Sequence, residues 1–117
     1  VWVHLDRDRL VQVITNFLNN AAKFTTKGYI KLGWNYVEER HEVELYVEDT
    51  GIGISKSEQK VIFSRFYKKD EFVQGTGLGL FICKVIVEKL GGRIALSSEV
   101  GVGSRFSVFF SAEKRDF

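Results

Sequence analysis

The sequence has little cysteine and no long apolar run, and each of these absences excludes a class of protein. Cys83 is the only cysteine among 117 residues, so the chain forms no internal disulfide and no zinc site built on cysteines. A single thiol in an apolar stretch is typical of a buried structural cysteine in a reducing compartment. No apolar stretch approaches the roughly 20 residues that a membrane-spanning helix needs, and no signal-peptide pattern opens the chain.

An excess of charge of either sign is also missing. The 17 Lys and Arg residues are balanced by 15 Asp and Glu residues, and the basic residues are scattered, so we expect no nucleic-acid partner. A composition that is 44% hydrophobic and 27% charged is globular, and the length suits one domain. The chain begins without an initiator Met, inside a strand-like segment, and we expect it to be part of a longer protein.

Hydrophobic periodicity predicts a two-layer α/β sandwich, with an antiparallel or mixed sheet and helices packed on one of its faces. The predicted strands are 1–5, 29–37, 43–48, 93–98 and 105–111, and the predicted helices are 8–24, 55–67 and 78–90. Asp6 or Asp8 is a candidate N-cap for the first helix. A Ser55 and Glu58 capping pair begins the second helix, and glycines 91 and 92 end the third.

The first predicted helix carries an unusual polar stripe. Gln12, Asn16, Asn20 and Lys23 fall on one side of it, which we expect to be opposite the apolar face. A solvated face is the simplest interpretation, but asparagine is a poor helix former, and three lie within five positions. Amide oxygens are suitable ligands for a hard cation such as Mg²⁺, and Lys23 is placed to meet a phosphate.

Two glycine-rich segments follow at strand and helix ends. Residues 49–54, Asp-Thr-Gly-Ile-Gly-Ile, come directly after a predicted strand, where a carboxylate and a close backbone suit a planar base. Residues 75–80, Gly-Thr-Gly-Leu-Gly-Leu, lead into a helix, and helix N-termini bind phosphates. Taken alone, the first segment is equally a tight turn and the second a flexible hinge.

The order of these motifs carries more information than any one of them. Together they resemble the box set of histidine kinase catalytic domains, and the resemblance spans essentially the whole chain. The matching segments are Asn16-x-x-x-Asn20-Ala21-x-Lys23-Phe24-Thr25, Asp49-x-Gly51-x-Gly53, Phe63-x-x-Phe66-Tyr67, Gly75-x-Gly77-x-Gly79-Leu80 and Gly101-x-Gly103-Ser104-x-Phe106.

The resemblance implies a Bergerat-type fold that binds ATP and Mg²⁺. It implies that Asn20 ligates Mg²⁺ and that Asp49 accepts a hydrogen bond from the adenine amino group. The catalytic set that it implies is Asn16, Asn20 and Lys23. The residues that it assigns to ATP are Asn16, Asn20, Lys23, Phe24, Asp49, Gly51, Gly53, Ile54, Arg65, Lys68, Gly75, Thr76, Gly77, Leu78, Gly79, Leu80 and Ser104. Phe63 and Phe66 are expected to pack the lid rather than touch the nucleotide.

The chain departs from the family pattern at two places. Lys68 stands where the family often has arginine, which keeps a cation but loses the bidentate fork, and Arg65 is an alternative donor. The lid, roughly 68–74, is also short, which implies weak coverage of ATP in the isolated domain.

The resemblance further implies transfer of the γ-phosphoryl group to a histidine on a separate dimerisation domain of the same kinase. It implies a downstream response regulator receiver domain, a homodimeric parent with or without a membrane anchor, and a cytoplasmic position for this domain. Neither His4 nor His41 has the helical context of a phosphoacceptor. We therefore expect that the chain alone does not autophosphorylate.

Three alternatives stay open at the level of sequence. A conformational ATPase of the gyrase, chaperone or mismatch-repair type has a glutamate where this chain has Asn16, and an amide is no general base for hydrolysis. A serine-directed protein kinase shares the same boxes. A non-catalytic nucleotide-binding module would keep them without chemistry.

Overall fold

The computed structural model describes residues 6–64 and 79–112. Its elements lie in the order of one long helix, two strands, a short helix, a second long helix and two more strands. They are α1 (Arg7–Phe24), β1 (Ile30–Val37), β2 (Glu42–Asp49), α2 (Lys56–Gln59), α3 (Gly79–Lys89), β3 (Arg93–Glu99) and β4 (Gly103–Ser111). The predicted strand 1–5 lies outside the described residues.

The four strands form one antiparallel sheet in the order β1-β2-β4-β3. The pairing of β1 with β2 is closed by a turn of 3-10 helix at Glu38–Arg40, and His41 takes a left-handed φ of 49° before β2 begins. In the register between the two central strands, Asp49 lies opposite Ser104. The α/β sandwich is therefore confirmed, and every strand pair in the described sheet is antiparallel.

Helix α1 begins where the sequence indicated. The Asp6 side chain accepts a hydrogen bond from the backbone N–H of Arg9 at 3.2 Å, which satisfies one of the free donors of the first turn. The helix ends at Phe24, the last residue of the predicted range, with Thr25 as its C-cap.

The hydrophobic core lies between the sheet and the two long helices. Val13, Phe17 and Ala21 of α1 are buried, and the Phe17 ring lies 5.3 Å from the ring of Phe106 in β4. Complete burial of an aliphatic or aromatic side chain contributes about 1.5–3 kcal/mol. Helix α3 adds buried Val87 on the same face, so the core fixes both helices against one side of the sheet.

The polar stripe of α1 lies beside the core face, and our expectation that it lies opposite was wrong. At 100° per residue, Asn16 is about 60° around the helix from Val13 and about 100° from Phe17. Asn16 and Asn20 are accordingly half-buried, whereas Gln12 and Lys23 are exposed. The asparagines are therefore positioned at the edge of the core, where they can contact neighbouring elements.

The second predicted helix is much shorter than the predicted range. Ser55 caps it, because its Oγ accepts the backbone N–H of Glu58 at 3.3 Å and also contacts the Glu58 carboxylate at 3.1 Å. Regular helix nevertheless ends at Gln59, and residues 60–64 form turns. Local capping signals define a helix start, but its length depends on what the following residues pack against.

The apolar face of β1 is not covered by the described helices. Leu32 and Trp34 are 53% and 64% exposed, although they share the sheet face of the buried Val47. Helices α1 and α3 pack mainly over β2 and β3. The apolar alternation of this strand correctly predicted its face but not its burial.

The opposite face of the sheet is covered by its own long side chains. The Arg105 guanidinium lies 3.7 Å from the centre of the Tyr46 ring and pairs with Glu44 at 2.9 Å. Burial alone would raise the pKa of Glu44, but hydrogen bonds from Ser107, Arg105 and Asn35 outweigh it and lower that pKa. Among the described residues, no helix is both long and apolar enough to cross a membrane.

Candidate functional site

The carboxylate of Asp49 is buried at the end of β2. The residue is 7% exposed, and its Oδ1 accepts the backbone N–H of Gly51 at 2.8 Å. Ser104 faces it from β4 and is also 7% exposed. Two buried polar side chains on the helix side of the sheet form the polar end of the candidate site.

The loop after Asp49 is attached to three different parts of the fold. The backbone N–H of Ile52 donates to Phe24 O at the end of α1 at 3.2 Å, and that of Thr50 donates to Tyr29 O at 3.1 Å. The backbone N–H of Gly101, between β3 and β4, donates to Ile52 O at 2.9 Å. These bonds fix the loop, so a ligand at Asp49 meets a preformed surface.

Two glycines of this loop have no space for a side chain. A Cβ at Gly51 would overlap Phe24 O and lie 2.9 Å from both Asp49 Oδ1 and Thr25 Oγ1. Gly53 has a φ of +76°, and a Cβ there would overlap the backbone of Glu99. The spacing of these two glycines is therefore required by close backbone approach.

A serine that sequence reasoning did not single out joins this loop to the last two strands. Ser98 Oγ in β3 accepts the backbone N–H of Ile54 at 2.8 Å and contacts Ser104 Oγ at 2.7 Å. The side chain of Gln59 donates to Ile54 O at 2.7 Å and to Ser98 O at 3.3 Å. The signal for Ser98 was its position, because it occupies an inward-facing place after Ile94 and Leu96 on one strand.

Thr25 has the one buried side-chain oxygen without a hydrogen-bond partner in the described part of the chain. Its Oγ1 lies beside Gly51 and Asp49, at the polar end of the site. Such a group costs about 1–3 kcal/mol when nothing satisfies it. A ligand or water at this end of the site would supply the missing partner.

The asparagine stripe is attached to α3 through Cys83. The thiol is fully buried and donates to Val13 O at 3.8 Å, while Asn16 Nδ2 donates to Cys83 Sγ at 3.5 Å. Because the single thiol hydrogen points to Val13, the amide must present its nitrogen to the sulfur, which orients its oxygen away. Burial raises the pKa of Cys83 to about 11, even though the bond from Asn16 lowers it, so the group stays a thiol.

The other predicted site residues that the structure describes lie on α1, in the loop after β2 and at the start of α3. Asn20, Lys23 and Phe24 follow Asn16 along α1, and Ile54 is buried in the core with 5% exposure. Gly79 and Leu80 form the first turn of α3. The predicted residues Arg65, Lys68, Gly75, Thr76, Gly77 and Leu78 lie outside the described residues, as does Phe66.

A shallow groove in the described part of the chain lies in a different place. It has a volume of about 350 Å³ and is lined by Lys60, Phe63, Ser64, Phe81, Lys84, Val85 and Glu88. Its α3 residues lie about 100–200° around that helix from Cys83, so the groove faces away from Asn16. Phe63 also packs edge-on against Phe106 of the core at 6.1 Å, while the lid that it was predicted to pack lies outside the described residues.

The arrangement of Asp49, the glycine loop and the asparagine helix agrees with the comparison with known protein families. Residues 5–114 match the model of the histidine kinase-, DNA gyrase B- and HSP90-like ATPases. The chain belongs to this family. The membership confirms the resemblance that the ordered motifs indicated.

Relatives of this ATPase-family chain include sensor proteins. It is 44% identical over 112 residues to the sensor protein SrrB of Staphylococcus aureus strain MRSA252, covering 92% of this chain and 19% of SrrB. SrrB of strain NCTC 8325 gives the same identity and coverage. The chain therefore spans about a fifth of the length of these curated relatives.

Solved structures with the same fold include histidine kinases. Full-length ShkA, solved with AMPPNP, superimposes with a TM-score of 0.80 and 32% identity over 92% of this chain and 22% of ShkA. The nucleotide-free catalytic domain of ThkA gives a TM-score of 0.79 and 33% identity over 93% of this chain and 70% of that one. The mycobacterial sensor histidine kinase MprB gives 0.78 and 28% over 90% and 71%.

Proposed function

We propose that residues 1–117 form a single ATP-binding catalytic domain that supplies the γ-phosphoryl group of ATP to a histidine on a separate dimerisation domain. The observation that carries this proposal is the convergence of buried Asp49, the Gly51 backbone and the orphaned Thr25 hydroxyl at one end of the site. These groups offer hydrogen-bond partners beside a surface that a planar base can approach closely.

The fit to Mg²⁺ follows from the kind of ligands that α1 supplies. Within residues 6–64 and 79–112, no cluster of three His, Cys, Asp or Glu side chains is suited to hold a metal ion. A metal here would take its ligands from the Asn20 amide and from phosphate oxygens, which is the donor set that Mg²⁺ accepts. When bound, Mg²⁺ neutralises charge on the transferring phosphoryl group.

The chain's own residues would mainly position the substrate. Asp49 would accept the amino group of adenine, and Lys23 would meet a phosphate as a point charge. Asn16, whose amide nitrogen is held by Cys83, would direct its oxygen towards the phosphate end. Phosphoryl transfer requires little covalent work from the protein, so positioning and charge neutralisation account for most of the catalysis.

His41 lacks the helical context expected of a phosphoacceptor. It lies in the turn before β2 with a left-handed φ of 49°, and its Nδ1 is 3.2 Å from the Tyr36 hydroxyl. The acceptor would therefore belong to the dimerisation domain of the same kinase, and a response regulator receiver domain would take the phosphoryl group next. We propose that the domain is the cytoplasmic part of a homodimeric sensor, with or without a membrane anchor, and that it has no nucleic-acid partner.

Labelled ATP and a separately supplied dimerisation domain test this function. We expect Mg²⁺-dependent transfer to the acceptor histidine only when both proteins are present.

Asp49→Asn should lower ATP affinity by about tenfold to a hundredfold, because a charge-assisted hydrogen bond is lost, while Glu48→Gln on the opposite face should change ATP affinity little. Asn20→Asp should impair transfer more than binding. Normal ATP binding by Asp49→Asn, or label on His4 or His41 in the isolated chain, would contradict the proposal.

A conformational ATPase is the second candidate, because the family includes that class. The Asn16 amide donates to Cys83 and has no proton-accepting nitrogen to activate water, which favours transfer over hydrolysis. Robust steady-state ATP hydrolysis that is lost in Asn16→Ala would support the second candidate instead.

A further inference from the structure

Ser98 lies behind the polar end of the site and uses its whole hydrogen-bonding capacity there. Its hydroxyl oxygen accepts the backbone N–H of Ile54 at 2.8 Å, lies 2.9 Å from Gly103 O, and lies 2.7 Å from Ser104 Oγ. A serine hydroxyl has one hydrogen to donate and two lone pairs that accept. All three contacts are within hydrogen-bond distance, so each must use one of these three positions.

Only one assignment of the hydrogens satisfies every contact. The carbonyl oxygen of Gly103 cannot donate, so the Ser98 hydrogen must point to it. Ser98 then accepts from Ile54 N–H, and its second lone pair accepts the hydrogen of Ser104. If Ser98 donated its hydrogen to Ser104 instead, the Ser98 hydroxyl oxygen and the Gly103 carbonyl oxygen would lie 2.9 Å apart without a hydrogen between them.

This assignment fixes what Ser104 offers to a ligand. With its hydrogen committed to Ser98, the Ser104 oxygen keeps only lone pairs for any further contact. Asp49, its cross-strand partner, offers carboxylate oxygens, and both residues are 7% exposed. The two side chains together form a wall that accepts hydrogen bonds and donates none.

We propose that Ser98 is a positioning residue that holds Ser104 as an acceptor, and so makes the Asp49 end of the site select a base that presents an amino group over one that presents a carbonyl. The inference rests on the proposed nucleotide-binding function and deepens it, because it assigns part of the base specificity to a residue without ligand contact. A carbonyl placed at this wall would receive no hydrogen bond from Asp49 or from Ser104.

The test compares ATP with inosine triphosphate, whose base has a carbonyl in place of the amino group. Calorimetric titration of the 117-residue chain with each nucleotide and Mg²⁺ should show a preference for ATP of at least about tenfold. In Ser98→Ala the Ser104 hydroxyl is free to rotate and donate to the carbonyl. The ratio of the two affinities should then fall about threefold to tenfold, mainly through tighter binding of inosine triphosphate.

Matched variants separate hydrogen-bond orientation from loosening of the loop. Gln59→Ala removes the bonds to Ile54 O and Ser98 O but leaves the Ser98 hydroxyl, so it should weaken both nucleotides by similar factors and keep their ratio. Ser98→Thr retains the hydroxyl and should keep the wild-type ratio. Ser107→Ala, a buried serine on the other face of the sheet, controls for loss of a buried hydroxyl.

Ser104→Ala keeps the test available if Ser98→Ala does not fold, because it leaves the Ser98 bonds to Ile54 and Gly103 in place. It should also lower the ratio, and in the double variant Ser98→Ala should have no further effect. An unchanged ratio in Ser98→Ala or Ser104→Ala, or equal weakening of both nucleotides, would overturn the inference alone. Failure of the wild-type chain to bind either nucleotide would overturn the proposed function together with it.

Discussion

The two ends of the candidate site are held in place by different means. At the Asp49 end, backbone hydrogen bonds from α1, from the start of β1 and from the β3–β4 turn all reach one loop of five residues. At the asparagine end, the described contact is a weaker bond from the Asn16 side chain to the sulfur of Cys83. The Asp49 end is therefore held by the backbone, whereas the asparagine end depends on side chains that can reorient.

This difference suits the proposed chemistry. A base is recognised by fixed partners that are satisfied in one orientation, and preorganisation lowers the entropy cost of binding it. Phosphate groups and a metal change their coordination during transfer, and side chains at the edge of the core can adjust to them. Variants that affect one end should thus differ in kind from those that affect the other.

The largest expected effect comes from filling the closest approach in the glycine loop. Gly53→Ala combines a positive φ with overlap against the Glu99 backbone, and we expect it to cost about 2–5 kcal/mol of unfolding free energy. Gly91→Ala is the matched control, since its φ of +81° is similar but its Cβ would meet open space, and it should cost about 1–2 kcal/mol. Urea denaturation followed by circular dichroism measures both, and equal losses would show that overlap is unimportant.

The next effect concerns the buried thiol at the asparagine end. Burial raises the pKa of Cys83 from 9.0 to about 11, so the unfolded chain loses the thiol proton first as pH rises. Stability from this group is complete below pH 9 and is lost as pH rises through about 11, to a total of about 2–3 kcal/mol. Cys83→Val should remove that part of the alkaline decline, which denaturation curves between pH 8 and 11 would show. Identical pH profiles for the two proteins would contradict it.

A smaller effect is expected at Thr25, where a substitution should raise the stability of the ligand-free protein but lower its affinity for ATP. Thr25→Val removes a buried oxygen that has no partner in the described part of the chain, and it should stabilise the ligand-free protein by about 1 kcal/mol. The same change should weaken ATP binding about threefold to tenfold if the nucleotide, directly or through water, satisfies that oxygen. Thermal denaturation and calorimetry give the two values, and a variant with unchanged affinity would remove Thr25 from the site.

The smallest expected effect concerns the orientation of the Asn16 amide. Cys83→Val removes the acceptor of its N–H group, whereas Cys83→Ser keeps one. We expect the valine variant to transfer phosphate about threefold to tenfold more slowly, with little change in KM for ATP, and the serine variant to be closer to wild type. Equal rates for all three proteins would show that the sulfur contact does not position the amide.

Much of the fold followed from local patterns in the sequence. The N-cap of α1 at Asp6, the end of α3 at the glycine pair and the four described strands were each predicted within one or two residues. The second helix was predicted too long, because Ser55 and Glu58 define a start while tertiary contacts set the end. The exposure of Trp34 on β1 was not predictable either, since alternation gives the face of a strand but not what covers it.

The candidate site was likewise predictable only in part. Motif order identified Asp49, Gly51 and the asparagine helix, because residue type and spacing are properties of the linear chain. It did not identify Ser98, and it treated Cys83 only as a buried thiol, because neither residue type signals a role by itself. Their importance lies in contacts across 44 residues, from Ile54 to Ser98, and across 67 residues, from Asn16 to Cys83.

The sequence by itself determined the family, the order of the elements and the residue types available for binding ATP. These depend on the spacing of residue types and on the period of the hydrophobic residues, and both are present in the linear sequence. The tertiary structure alone decided which hydrogen-bonding groups face each other and in which direction their hydrogens point. The reason is that a hydroxyl or amide becomes a donor or an acceptor through its neighbours in space, and those neighbours come from distant parts of the chain.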